Sequence, residues 1–277
     1  MKLKIKPLLF PVACLSLASS FNAQALDWRI AFGGHDIIVE QADSHTLGVG
    51  AALSLAHLTE SNILLTGSID VFIDHDKDKL DPDHIPLWFD SEFLATGPLF
   101  EISETSHLNW EVEIADRRNT VSSVEKQFKV MPALGYAFNT SAFDVAAKVG
   151  AGLYFLEIDD DVPRMRGYDR EDFQNKTGAY TLAVDTRISL GSSFDFSAKI
   201  QHWSDGSEWL ENRYGMVLSY DSNSWVEDSV FVMSVEHTEY NLDPYAKVPL
   251  DDPDYLPILP WNNDSLVRVY IDMPWGV

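Results

Sequence analysis

The sequence is poor in cysteine and in basic residues, and both shortages restrict what the protein can be. Its one cysteine, Cys14, lies close to the amino terminus, so removal of that segment would leave a chain without disulfides or thiol chemistry. Lysine and arginine together number 20 against 43 aspartates and glutamates, which gives a formal net charge of −23. Because a nucleic-acid surface needs a basic footprint, this balance argues strongly against a nucleic-acid partner.

Long apolar runs are also scarce, and the one near the amino terminus has the pattern of a secretory signal. Three lysines among the first six residues precede the apolar stretch 8–18, and residues 23–25 read Ala-Gln-Ala, a small-x-small cleavage site. The stretch is too short to cross a bilayer as a helix. We therefore expect residues 1–25 to be a cleaved signal peptide and residues 26–277 to form one domain.

What the chain does have, from Trp28 onward, is a regular alternation of apolar and polar residues. Between Phe194 and Gln201 every second residue is apolar, which on a strand puts the apolar side chains on one face and the polar ones on the other. Twelve segments follow this pattern, and we predict each of them to be a strand: 27–39, 46–57, 63–74, 87–102, 107–116, 126–138, 143–157, 177–190, 194–203, 214–221, 229–240 and 266–273.

The connectors between these segments alternate in length after the first hairpin, whose connector 40–45 is brief but falls on the side of the long loops. Short, turn-like connectors are followed by longer and more acidic ones, the latter around 75–86, 117–125, 158–176, 204–213 and 241–264. Short periplasmic turns, long external loops and an even strand count are typical of bacterial barrels. We therefore predict an all-β fold, a transmembrane antiparallel up-and-down β-barrel of about twelve strands in the outer membrane of a Gram-negative cell, with both termini in the periplasm.

Charged residues on the polar face of the strands carry both signs. Exposing a lysine or arginine to the hydrocarbon at mid-depth costs about 2–4 kcal/mol, so these side chains are expected to point into the lumen. They could pair into a network that fills the lumen or line a water-filled pore, and the sequence leaves both open. The residues are Glu111, Glu113, Lys129, Lys148, Asp185, Arg187, Lys199, Glu236, Arg268 and Asp272.

The sharpest candidate for chemistry lies at the end of the ninth predicted strand. His202 and Ser204 are two residues apart and therefore share a face, and the alternation puts that face toward lipid. Glu208 and Glu211 follow closely. A serine becomes a nucleophile when a nearby base takes its proton, and a carboxylate can orient that base.

The stretch His202-Trp203-Ser204 resembles the His-x-Ser element of the outer-membrane lipid A 3-O-deacylases, which are β-barrel serine esterases with a lipid-facing site. The resemblance implies that His202 is the base, Ser204 the nucleophile, and Glu208 or Glu211 the orienting acid. It covers about ten residues. It departs from the family at Asp205, where the family has asparagine.

An acidic segment of the chain is the candidate cation site. Asp159, Asp160 and Asp161 could together hold a surface Ca²⁺ or Mg²⁺, since oxygen ligands suit hard cations. A solvated acidic loop explains the same run of charge. No other cofactor is expected.

Over its whole mature length the chain resembles the solitary autotransporter-type β-barrels, which carry a twelve-stranded translocator without a passenger. The features are the strand count, the size, the start at Leu26-Asp27-Trp28 and the stretch 129–136, whereas Trp275 followed by Gly276-Val277 departs from the usual aromatic last residue. The resemblance implies no catalytic residues. The leading hypothesis is a non-enzymatic barrel with a structural or surface-interaction role; the alternatives are a lipid acyl-ester hydrolase and a small-solute channel. Expected partners are outer-membrane lipid, lipopolysaccharide and the barrel-assembly machinery.

Overall fold

The fold is a closed antiparallel barrel of twelve strands, seen in a computed structural model that describes residues 26–39, 44–74, 87–119, 124–158, 174–241 and 263–275. The predicted fold class and strand number are confirmed. The strands are β1 (Asp27–Val39), β2 (Ser44–Leu58), β3 (Leu64–Asp74), β4 (Leu87–Ser103), β5 (Ser106–Asn119), β6 (Val124–Asn139), β7 (Phe143–Ile158), β8 (Gln174–Leu190), β9 (Phe194–Ser204), β10 (Trp209–Asp221), β11 (Val230–Tyr240) and β12 (Asn263–Pro274).

Each strand pairs with its neighbour in sequence, and β12 pairs back onto β1 to close the barrel. Closure removes the free edges that an open sheet would expose. A charged contact secures this seam near its end: the Arg29 guanidinium pairs with Asp272 and also donates a hydrogen bond of 3.0 Å to the Asp228 carbonyl. The expected signal peptide, residues 1–25, lies outside the described residues.

The outside of the barrel is an apolar belt. Strands of 11 to 17 residues are long enough to cross the hydrocarbon when tilted. Along the strands exposed apolar side chains alternate with side chains that point inward and are more buried, as a barrel with lipid outside requires. Exposed members of the belt include Phe32, Val49, Ile73, Phe93, Leu134, Val149, Leu182, Ile200, Met216 and Met233. No helix in the described part of the chain is long and apolar enough to span a membrane.

The two ends of the barrel differ. The "terminal end" is where Asp27 and Pro274 lie, and it carries short turns such as that between β8 and β9. The "far end" is where Val39 and Asn263 lie, and most of its connectors fall outside the described residues. One far-end connector is described, and it is shorter than predicted: β10 begins at Trp209, so a tight turn of only Asp205–Glu208 joins it to β9.

The inside of the barrel is polar, and side chains of opposite strands contact each other across the lumen. All ten charged residues predicted to face the lumen lie on the inward face of their strands, and that prediction is confirmed. Arg117 on β5 reaches Glu236 on β11 at 2.7 Å, although these strands are six apart in a ring of twelve. Lys129 on β6 contacts Glu211 on β10 at 2.8 Å. We call the residues around these contacts the lumen network: Asp90, Arg117, Gln127, Lys129, Tyr154, Trp203, Glu211, Arg213 and Glu236.

Candidate active site

A polar group of side chains interrupts the apolar exterior at the far end of β9, β10 and β11. In the register of these strands Asn212 lies opposite His202 on one side and opposite Glu239 on the other. The three side chains therefore stand in one row across the outside of the barrel, with Ser204 two residues beyond His202. We call His202, Ser204, Asn212 and Glu239 the outer cluster.

His202 is held by the neighbouring asparagine. Its Nδ1 lies 2.7 Å from Oδ1 of Asn212, and Nδ2 of the same amide donates a hydrogen bond of 3.0 Å to Oε2 of Glu239. An amide oxygen only accepts hydrogen bonds, so Nδ1 of His202 carries the proton. In the neutral imidazole the other ring nitrogen, Nε2, then carries the lone pair. In this tautomer Nε2 is the ring nitrogen that can accept a proton.

Ser204 lies at the junction between β9 and the tight turn. Its Oγ donates to the Glu208 carbonyl at 2.7 Å and accepts from the Gly206 N–H at 3.0 Å. Among the described contacts there is no hydrogen bond between Ser204 and His202. The Ser204 hydroxyl is bonded to the turn and not to the imidazole; catalytic hydrogen bonds are often long or poorly aligned when no substrate is bound.

The turn itself is ordered by Asp205 and Gly206. Oδ1 of Asp205 accepts hydrogen bonds of 2.8 Å from the N–H of Glu208, the N–H of Ser207 and the Ser207 hydroxyl. These donors stabilise the charged form and hold the pKa of the Asp205 carboxyl below its ordinary value of 3.8. Gly206 has a φ of +95°, a left-handed conformation that favours glycine. Both residues fix the position of the backbone next to Ser204.

The outer cluster lies at the border between aromatic and aliphatic surface. Ser204 stands between the outward rings of Tyr180 and Trp209, which are 59% and 39% exposed. One step toward the middle of the barrel, His202 pairs with Leu182, and the aliphatic belt begins. Tyrosine and tryptophan gather at the level of the lipid headgroups, above the acyl chains. The cluster is therefore at the depth where a lipid carries its ester bonds.

The structure brings only part of the predicted site together. His202 and Ser204 share the outward face as predicted, but neither glutamate contacts the imidazole. Glu211 lies on the opposite face of β10, fully buried in the lumen against Lys129, so the prediction that it could orient His202 is wrong. The Glu208 carboxylate accepts from the Asn241 amide at 3.4 Å and does not contact His202. The candidate cation ligands Asp159, Asp160 and Asp161 lie outside the described residues.

The residue that sequence reasoning missed is Asn212. The shorter prediction for β10, starting at Tyr214, left this residue in a loop. Continuing the alternation backward from Tyr214 would have put Asn212 outward and Glu211 inward. The alternation carries this signal, whereas the charge of residues 204–213 favours a long acidic connector.

The lumen holds a second candidate site. A cavity of about 80 Å³ lies beside the lumen network, which is room for several water molecules. Carboxylates and cations line it together, among them Asp70, Glu92, Lys199 and Arg268. No group of three or more histidine, cysteine or acidic residues in the described ranges is arranged to hold a metal ion. The cavity is a small space in the lumen with charges of both signs in its lining.

No protein-family model matches the sequence, and no curated protein does either. Several solved structures are similar over most of the chain. The KdgM porin in complex with disordered oligogalacturonate is 11% identical, covering 90% of this chain and 99% of its own, with a TM-score of 0.45. The NanC porin is 9% identical, covering 88% of this chain and 98% of its own, with a TM-score of 0.47. The outer membrane phospholipase A from Escherichia coli is 14% identical, covering 91% of this chain and 93% of its own, with a TM-score of 0.45. The chemistry of the chain's own outer cluster must therefore carry its functional assignment.

Proposed function

We propose that this chain is an outer-membrane β-barrel that hydrolyses acyl esters of membrane lipids. In this mechanism Ser204 is the nucleophile, His202 is the base, and Asn212 orients His202. The observation that carries the proposal is the contact of 2.7 Å between Nδ1 of His202 and Oδ1 of Asn212, two residues from Ser204 on the lipid-facing surface.

The chemistry follows the general logic of a serine hydrolase. Nε2 of His202 takes the hydroxyl proton as Ser204 Oγ attacks the ester carbonyl, and it returns that proton to the leaving alcohol. Water then attacks the acyl-serine. Nε2 of His202 takes a proton from this water and returns it to Ser204 Oγ as the fatty acid leaves. The Gly206 N–H donates to Ser204 Oγ at 3.0 Å, and for it to stabilise the negative charge on the carbonyl oxygen this hydrogen bond must pass from Oγ to that oxygen.

The position of the outer cluster supports a lipid substrate. A lipid can reach Ser204 by lateral diffusion with its acyl chains along Leu182, Ile200 and Met216, all of which are more than half exposed. Its ester group then lies at the level of Tyr180 and Trp209. No water-filled approach through the lumen is needed. If the terminal end faces the periplasm, as short turns do in bacterial barrels, the site is in the outer leaflet.

The experiment is to measure acyl release by the purified full-length protein in vesicles, with phospholipid in one set and lipid A in another. Mass spectrometry of the lipids identifies the product. We expect fatty-acid release by the wild type and a loss of about a thousandfold or more in Ser204→Ala and His202→Ala. Ser91→Ala, which removes another outward hydroxyl on β4, is the matched control. Equal release by Ser204→Ala and the wild type would overturn the proposal.

A second candidate is the non-enzymatic barrel that the resemblance to solitary autotransporter-type proteins implies. The lumen network favours it, because ion pairs between opposite walls suit a rigid barrel that conducts little. Under this alternative the wild type leaves both lipid sets unchanged, and its role is structural or one of surface interaction. The same mass-spectrometric measurement therefore separates the two candidates.

A further inference from the structure

Glu239 is placed to act on His202 without touching it. Its carboxylate lies outward on β11, opposite Asn212 in the strand register, and Oε2 accepts the hydrogen bond of 3.0 Å from Nδ2 of that residue. The Tyr214 hydroxyl donates a longer bond of 3.5 Å to the same oxygen. The bond from Asn212 is thus the closest described contact of the carboxylate.

A carboxylate resolves an ambiguity that an asparagine has on its own. The two ends of the Asn212 amide are nearly equal in size, so the group can present either oxygen or nitrogen to His202. An ionised Glu239 only accepts hydrogen bonds, so the amide nitrogen must turn toward it. The amide oxygen then faces His202, and the proton of the imidazole must be on Nδ1.

We propose that Glu239 is a positioning residue that selects the imidazole tautomer of His202 through Asn212. Its catalytic consequence rests on the proposed function, because only a base with a free Nε2 can accept the proton of Ser204. The selection itself is a property of the three side chains and operates whether or not a lipid is hydrolysed.

Further contacts hold Glu239 in place. Nε2 of His237 lies 3.8 Å from Oε1, and Nδ1 of the same ring lies 2.8 Å from the Ser265 hydroxyl. The Tyr214 ring stacks on His237 with centroids 6.1 Å apart. Outward polar groups of four neighbouring strands, β9 to β12, therefore form a continuous chain of contacts that ends at His202.

The first measurement is the tautomer of His202 by ¹⁵N NMR of histidine-labelled protein in detergent micelles. In the wild type we expect the Nδ1-protonated form to dominate. In Glu239→Gln the amide of residue 212 can pair in either orientation, so the Nε2-protonated form should rise to a comparable population. Asp36→Asn is the matched control, since Asp36 is another carboxylate outside the barrel near a histidine, His45, at 3.5 Å. Unchanged tautomer populations in a folded Glu239→Gln protein would overturn the proposal.

The second measurement is rescue of activity. We expect Glu239→Gln to lower kcat by at least about tenfold with little change in KM, because substrate contacts are untouched and the base is in the wrong tautomer. The double variant Asn212→Asp/Glu239→Gln puts the carboxylate next to His202 and an amide behind it, and it should recover kcat and the Nδ1-protonated form together. A double variant no better than the single one would count against selection through position 212.

The esterase function and the positioning role of Glu239 can be contradicted independently of each other. If the wild type releases no fatty acid but Glu239→Gln shifts the tautomer, the positioning role stands and the esterase function falls. If Ser204→Ala abolishes release while Glu239→Gln changes neither tautomer nor kcat, the esterase function stands and the positioning role falls. Heat-modifiable migration on gels, a property of folded barrels, verifies that each variant is folded.

Discussion

Arg117 donates a hydrogen bond of 2.7 Å to Oε1 of Glu236 on the opposite wall of the barrel. The same guanidinium holds both carboxylate oxygens of Asp90, on the adjacent strand, at 3.0 and 3.1 Å. One side chain therefore joins β4, β5 and β11 across the lumen. A planar guanidinium suits this role, since it can bind one carboxylate through two parallel hydrogen bonds and donate a further N–H to a second carboxylate.

Removing this bridge should make the barrel more conductive. We expect the wild type to give no porin-sized current steps in planar lipid bilayers, because the Arg117–Glu236 contact spans the lumen. The double variant Arg117→Ala/Glu236→Ala removes both side chains and should give measurable steps. Arg118→Ala, which removes an exposed arginine on the same strand, should behave as the wild type does. Large steps from the wild type would instead favour the small-solute channel.

The contact between Lys129 and Glu211 predicts a large loss of stability when only one partner is changed. Both side chains are almost completely buried, at 1% and 0% exposure, and the ammonium also lies 3.8 Å from the centre of the Trp203 ring. Glu211→Leu leaves a buried cation without its carboxylate, which typically costs about 3–5 kcal/mol. The measurement is the free energy of unfolding by urea in lipid vesicles.

Two further variants test this reason for the loss. Lys129→Met/Glu211→Leu removes both charges, so it should recover most of the stability that the single variant loses. Asp116→Ala breaks the ion pair with Arg118, which is 59% exposed, and should cost no more than about 1 kcal/mol. If Glu211→Leu is no worse than Asp116→Ala, the buried pair does not stabilise the barrel as described.

The turn beside Ser204 should resist acid. Since the folded pKa of Asp205 is depressed by the N–H groups of Glu208 and Ser207 and by the Ser207 hydroxyl, its charged form stabilises the turn at every pH above 3.8. That contribution is lost only as the pH falls through the depressed value. Carboxyl ¹³C NMR should therefore give a midpoint below 3.8, and Ser207→Ala should move it upward. Ser192→Ala, in a turn at the terminal end, should leave it unchanged. A wild-type midpoint at or above 3.8 would contradict this account.

Most of the fold could be predicted because lipid outside and charge inside impose a strict alternation on every strand. The bounds of β1 matched the prediction, and charged positions as far apart as Glu111 and Asp272 were assigned correctly to the lumen. Alternation is a local property, so each strand could be interpreted without knowledge of its neighbours. What alternation cannot give is which inward charges meet, since that depends on register and on the width of the barrel.

The candidate site was predicted only in part for the same reason. His202 and Ser204 share a strand, and their common face follows from spacing alone. The partner of His202 comes from the next strand, so its identity depends on where the connecting turn ends. A turn of only four residues brings Asn212 level with His202 and sends Glu211 inside, whereas the expected longer loop would have left both glutamates free to approach the imidazole.

The seam between β1 and β12 has a consequence for how this protein is assembled. Arg29 and Asp272 are separated by 243 positions, so their contact is among the most non-local of the described residues. Such a contact forms only after the first and last strands have been brought together, and closing so large a loop costs conformational entropy. Until then β1 and β12 are both unpaired edges, able to pair with other strands. Completion of the ring is thus the step that removes both free edges from this chain.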